Sequence, residues 1–134
     1  MSQFIRAIDT VTTYLAAMER RDLDAAQALV VPAGLELVFP GNRRFSDLRS
    51  VVANSSGRYL RIGKRITGRD AWESEGRLRV MITGTLHGTW HDGTAFDGIR
   101  FVDWFELQDG LIARQYVWND TGEEMISSLK EAHA

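Results

Sequence analysis

The chain contains no cysteine, which excludes disulfides, thiolate nucleophiles and cysteine-based metal sites. It has only two prolines, Pro32 and Pro40, and no repeat, linker or low-complexity stretch. No apolar run approaches the ~20 residues that a membrane span needs. Charges fall inside the apolar pattern from Met1 to Asp9, which argues against a secretory signal and predicts a cytoplasmic protein. Charge of one sign is lacking too. Lys and Arg number 16 against 18 Asp and Glu, a net charge of -2, so neither a nucleic-acid footprint nor an acidic tail is expected. No glycine-rich phosphate loop follows a strand, and there is no nucleophile elbow and no zinc signature. His87 and His91 lie four apart on a strand and turn, ~13 Å at strand rise, too far to chelate one ion. Neither a metal nor another cofactor is expected.

With 44% hydrophobic and 25% charged residues, the 134-residue chain reads as one globular domain, 1–134, large enough for a core and a pocket. Positive charge is concentrated locally. Arg43, Arg44, Arg49, Arg58, Arg61, Lys64, Arg65 and Arg69 share a stretch whose one acid before Asp70 is Asp47. Two readings stand: a solvated helix face and strand edge, or a rim that attracts anions.

Phe4, Ala7, Ile8, Val11, Tyr14, Leu15 and Met18 recur at helical spacing, with Ser2 as N-cap. Arg20 and Arg21 end this helix, and Asp22 caps a second through Leu29, which Pro32 and Gly34 break. Leu35 to Phe39 reads as a strand closed by Pro40-Gly41-Asn42, and Ser46 or Asp47 caps a third helix. From Tyr59 the period changes to two. Strands are expected from Tyr59 to Thr67, from Ala71 to Glu75 either separately or as a continuation of it, from Arg77 to Trp90, from Phe96 to Leu107 and from Leu111 to Asn119. A short helix from Glu123 to Lys130 ends the chain. This order of helices before an antiparallel meander predicts an α+β layout.

The anomaly is Asp103. It falls in the middle of an apolar strand face made by Ile99, Phe101, Phe105 and Leu107, where a carboxylate must find a partner, bind a proton or line a polar cavity. If Asp92-Gly93 is a two-residue turn, His91 pairs with Thr94. Asp103 then opposes Ile82, Phe101 opposes Gly84, Phe105 opposes Val80, and Arg79 meets Glu106 on the other face. For the next hairpin, a two-residue Asp109-Gly110 loop puts Tyr116 opposite Asp103. A three-residue loop puts Gln115 there and turns Val117 and Asn119 inward.

The helix-turn-helix from Tyr14 to Leu29 and the run Asp103-Trp104-Phe105-Glu106-Leu107-Gln108-Asp109-Gly110-Leu111-Ile112 resemble the nuclear transport factor 2-like superfamily, in particular its SnoaL-like and ketosteroid isomerase-like branches. The resemblance spans nearly the whole chain. It implies three N-terminal helices packed in the concave face of a strongly curved antiparallel sheet, a cystatin-like α+β cone, with a short C-terminal helix. In ketosteroid isomerases a first-helix tyrosine and a protonated aspartic acid hold the substrate oxyanion. The resemblance places Tyr14 and Asp103 in similar positions. The isomerase base before the proline is replaced here by Phe39, and the acid of SnoaL-type cyclases is absent from Gln115-Tyr116-Val117. The resemblance also favours the register that lines the pocket with Gln115, Val117 and Asn119.

Asp103 therefore has three readings: a neutral hydrogen-bond donor, an ionised base, or a carboxylate paired with Arg114, Tyr116 or a backbone amide. Tyr14 is either a core tyrosine or a pocket donor. Glu36 groups with Val38, opposite in direction to Leu35, Leu37 and Phe39, and is not expected inside. One functional expectation is a small isomerase, dehydratase or cyclase acting on an apolar carbonyl compound. In it Asp103 and Tyr14 are catalytic, and Val80, Ile82, Phe101, Phe105, Phe39, Gln115, Val117 and Asn119 contact the substrate. The alternative is a non-catalytic ligand-binding or dimerisation domain. If the three-residue loop holds, an outer face of Met81, Val102, Trp104, Ile112, Tyr116 and Trp118 predicts a homodimer under either function.

Overall fold

A computed structural model describes residues 2–132. The first helix, α1 (Gln3–Glu19), begins where the Ser2 hydroxyl accepts the Ile5 amide at 3.1 Å. It ends in a Schellman turn: the Asp22 amide donates to the Ala17 carbonyl, and the Arg21 amide to that of Met18. Asp22 then caps α2 (Leu23–Gln27) through the Ala25 amide. This helix stops two residues short of the expected Leu29, because Val30 and Val31 turn away to lie beside Ile112. Next come β1 (Glu36–Phe39) and β2 (Arg43–Phe45), a short strand that the sequence pattern did not announce. Asp47, rather than Ser46, caps α3 (Leu48–Ser56).

Four strands follow: β3 (Tyr59–Ser74), β4 (Arg77–Trp90), β5 (Ala95–Gln108) and β6 (Leu111–Asn119). The helix α4 (Thr121–Ala132) comes last. The six strands form one curled sheet in the order β2-β1-β6-β5-β4-β3. It is not wholly antiparallel as expected, because β1 runs parallel to β6. That pairing joins residues some 80 positions apart, and local pattern carries no information about it. Helix α1 packs against β3, β4 and β6, burying Ala7, Val11, Tyr14 and Leu15 against Val80, Ile82, Phe105 and Ile112.

The register explains how Asp103 comes to face α1. Asp103 opposes Ile82, Phe101 opposes Gly84, Phe105 opposes Val80 and Arg79 opposes Glu106, as expected. The expected pairing of His91 with Thr94 is not formed. The loop has three residues, closed by the Trp90 amide on the Thr94 carbonyl. A bulge at Asp97-Gly98, with Gly98 at φ +75°, restores the register further down.

At the next hairpin the loop has two residues, Asp109 and Gly110, both with positive φ as a type I′ turn requires. Ala113 then forms a bulge, so Val117 is opposite Asp103, in place of either expected partner, Tyr116 or Gln115. The inward set is nevertheless the one favoured by the resemblance. Gln115 and Val117 are buried, and Tyr116 and Trp118 lie on the other face. The bulge also turns Ile112 inward, where it is fully buried, so it leaves the expected outer patch.

Candidate functional site

A cavity of about 110 Å³ opens between α1, α3 and the curled sheet. Of the residues expected there, Tyr14, Phe39, Phe101, Asp103, Gln115, Val117 and Asn119 line it. Val80, Ile82 and Phe105 do not. They are fully buried directly under α1, where the helix fills the space beside them. Phe105 meets the Tyr14 ring edge-on at 6.0 Å, so it is core packing.

Asp103 is completely buried. Its expected partners, Arg114 and Tyr116, are on the opposite face, where both engage Glu36. Glu36 also pairs with Arg44, so it points outward as its period predicted. The cation that reaches Asp103 is Lys64. It extends from β3 across β4, with its Nζ 5.4 Å from the Phe101 ring centroid and 3.8 Å from Asp103 Oδ2. The same oxygen accepts a long 3.5 Å hydrogen bond from Gln115 Nε2. Asp103 Oδ1 is buried and has no partner among the described residues. Burial pushes the Asp103 carboxyl above the usual aspartate range, and the nearby Lys64 charge and the Gln115 bond only partly oppose it.

Tyr14 is held differently from the expected oxyanion donor. Its hydroxyl donates to Gln115 Oε1 at 2.9 Å, and Gln115 in turn donates to Asp103. Burial, reinforced by the Asp103 charge, pushes the phenol further up from its ordinary value, so the proton stays on Tyr14. The result is a buried chain, Tyr14 to Gln115 to Asp103, that fixes one carboxylate oxygen and leaves the other open.

Two site residues escaped the sequence reading. Lys64 lies between Ile62 and Ile66 at a period of two, the same signal that marks Asp103. Glu19, at the end of α1, lines the open end of the cavity, and its Oε1 accepts the Lys64 backbone amide at 2.7 Å. That amide lies on the free edge strand of the sheet. No sequence signal marks Glu19, because its role depends on where α1 crosses the edge strand.

No family model matches the chain, and neither does any curated protein sequence. Solved structures do. An NTF2-like protein of unknown function from Burkholderia pseudomallei is 20% identical, with 93% of this chain and 96% of that one aligned at a TM-score of 0.74. A protein from Jannaschia sp. CCS1 named as a SnoaL-like polyketide cyclase is 17% identical, with 93% of each chain covered and a TM-score of 0.74. An LEH-like epoxide hydrolase from M. tuberculosis is 19% identical, with 94% and 91% covered and a TM-score of 0.69. The chain has the nuclear transport factor 2-like fold.

Proposed function

We propose that the chain binds a small, largely apolar carbonyl compound and moves the proton on the carbon beside its carbonyl, as isomerase, dehydratase and cyclase steps require. The observation that carries this reading is the buried, unpartnered Oδ1 of Asp103 beside a cavity. Buried acceptors are almost always satisfied, and an orphan at a cavity wall invites a donor or a proton from a ligand. Proteins of the same fold that are named as a polyketide cyclase and an epoxide hydrolase support small-molecule chemistry in such a cavity.

In the proposed step Asp103 Oδ1 takes the proton. The C–H electron pair becomes the carbon–carbon double bond of an enolate, and the carbonyl π pair moves onto oxygen. The Lys64 ammonium offsets that charge. A carboxyl held above its usual range is a stronger base when ionised than an exposed one, which suits it to this task. Phe39, Phe101 and Val117 form the walls, while Asn119 orients the ligand. Tyr14 acts through Gln115 and is a positioning residue. Lys64 fills the role that the sequence had given to Tyr14.

The expected result is exchange of α-protons of small cyclic ketones in deuterium oxide, followed by proton NMR, with Asp103→Asn at least about 100-fold slower. Carboxyl-carbon NMR should show Asp103 titrating above an exposed aspartate, and higher still in Lys64→Met. Titration at or below the ordinary aspartate range, or exchange indifferent to Asp103→Asn, would sink the reading.

A second reading, assembly through the outer sheet face, has its own observation. Trp104 stacks on Tyr116 at 4.9 Å, Tyr116 meets Trp118 edge-on at 6.2 Å, and Trp118 is 56% exposed. Met81 and Val102 lie beside them, half-buried. An apolar centre with a polar rim at Glu36, Arg44 and Arg114 suits a homodimer. Light scattering at micromolar concentration should report twice the chain mass, falling to one chain in Trp118→Glu. A wild-type monomer under those conditions would remove this reading.

A further inference from the structure

We propose that the mouth of the cavity binds a carboxylate, so that the ligand is a small oxo acid, its carbonyl beside Asp103 and its carboxylate held by Arg21, Arg43 and Arg58. This rests on the cavity being a binding site, but not on the proton chemistry assigned to Asp103.

The cavity lining is sorted by charge and depth. Tyr14, Asp103 and Gln115 are buried, whereas Arg21 and Arg58 are exposed and Arg43 is half-buried, which puts the three guanidiniums at the open end. Several arginines elsewhere meet carboxylates: Arg44 with Glu36, Arg65 with Asp97, Arg77 with Glu106, Arg100 with Asp120. Among the described residues, none of the three at the mouth makes an ion pair. Their partners are neutral instead. Arg43 donates to the Pro40 carbonyl and to Asn54 Oδ1, both at 2.9 Å, and Arg21 donates to the Ser55 hydroxyl at 3.0 Å. These bonds fix the Arg21 and Arg43 guanidiniums without neutralising them, which is the arrangement that a bound oxyanion completes.

Arg21 supplies an independent observation. It occupies the left-handed residue of the Schellman turn, φ 62°, a position that glycine fills without steric cost. From that position its side chain lines the cavity. Burial and the adjacent Arg58 charge together hold the Arg43 pKa below its ordinary value, a repulsion that an anion would relieve.

Counting Lys64, four cations line the cavity against two acids, Glu19 and Asp103. Glu19 is already engaged by the Lys64 amide. With about 110 Å³ inside, the enclosed part of the ligand is no larger than a short acyl chain or small ring.

The test is calorimetric titration of 4-oxopentanoate, its methyl ester and inorganic phosphate into wild type, Arg21→Gly, Arg58→Gln and Asp103→Asn. The acid should bind at least ten-fold more tightly than the ester, with the preference falling as salt rises. Arg58→Gln should lose most of that preference. Arg21→Gly should lose it while resisting urea better than wild type, because glycine relieves the left-handed backbone. That gain in stability separates lost binding from misfolding. Asp103→Asn should keep the preference, so that failed proton exchange with intact acid binding would count against Asp103 alone. Equal binding of acid and ester, no binding of either at millimolar concentration, or a preference indifferent to both arginine variants would overturn the proposal. Tighter binding of phosphate than of the oxo acid would overturn the carboxylate in favour of a phosphate group.

Discussion

Asp103→Asn should be more stable than wild type at pH 7, by about 1–3 kcal/mol, because it removes a buried charge whose desolvation Lys64 and Gln115 only partly offset. Asparagine has nearly the same shape, keeps an oxygen for Gln115 Nε2 and cannot ionise. It therefore mimics the protonated acid. Asp103 is fully buried, its Oδ1 is unpartnered, and its cation is 3.8 Å away on a side chain that is still 28% exposed. An ion pair that loose and that hydrated offsets little of the desolvation of the carboxylate.

The sign of the pH dependence follows from the raised carboxyl. An acid whose folded pKa lies above its unfolded value stabilises the fold in its protonated form. That contribution is complete below the ordinary aspartate value of about 3.8 and is lost as pH rises through the folded pKa. Wild type and variant should therefore converge in urea denaturation at the acid end. The gap should open as pH climbs above 3.8 and stay constant beyond the folded pKa. A gap of opposite sign at pH 7 would mean that Lys64 and Gln115 stabilise the ionised form, and Asp103 would then be a structural ion pair. Greater stability combined with lost proton exchange is the trade expected where a strained group serves function.

How much of this was legible in the sequence varies by residue. Caps and periods carried the helices and the long strands, because Ser2, Asp22 and Asp47 act on amides three residues away. The register of Asp103 against Ile82 was also legible, although the route to it was not. The turn at Asp92-Gly93 has one more loop residue than expected, and the Asp97-Gly98 bulge cancels the difference. The Ala113 bulge instead shifts the register, placing Val117 opposite Asp103. Bulges answer to how tightly the sheet must curl over α1, and that demand comes from packing rather than from neighbouring residues.

The basic stretch divides in the same way. Arg44 and Arg65 pair with acids outside, as a solvated face would, while Arg43, Arg58 and Lys64 line the cavity. The solvated-face reading fits Arg44 and Arg65, and the proposed carboxylate site assigns the anion-attracting rim to Arg43 and Arg58. Lys64 itself was within reach of the sequence, since a lysine between two isoleucines on one strand face poses the same question as Asp103.

Gly84→Ala should destabilise the fold by about 3 kcal/mol or more and disturb the site from a distance. Gly84 opposes Ile66 on one side and Phe101 on the other. A methyl group there would fall within van der Waals contact of the Arg65 carbonyl oxygen and 3.1 Å from Ile66 Cα. These are backbone atoms, so no rotamer change can relieve the overlap, and β3 must move as a strand. Lys64 is two residues from Ile66 on the same strand, and its ammonium lies 3.8 Å from Asp103 Oδ2. The expected result has two parts: a lower urea midpoint, and a further rise in the Asp103 titration as the ammonium withdraws. Loss of stability without that rise would mean that Lys64 is held by its contact with Phe101 and the Glu19 bond rather than by the position of β3. A variant within about 0.5 kcal/mol of wild type would show that the close approach of β3 and β4 does not set the shape of the cavity.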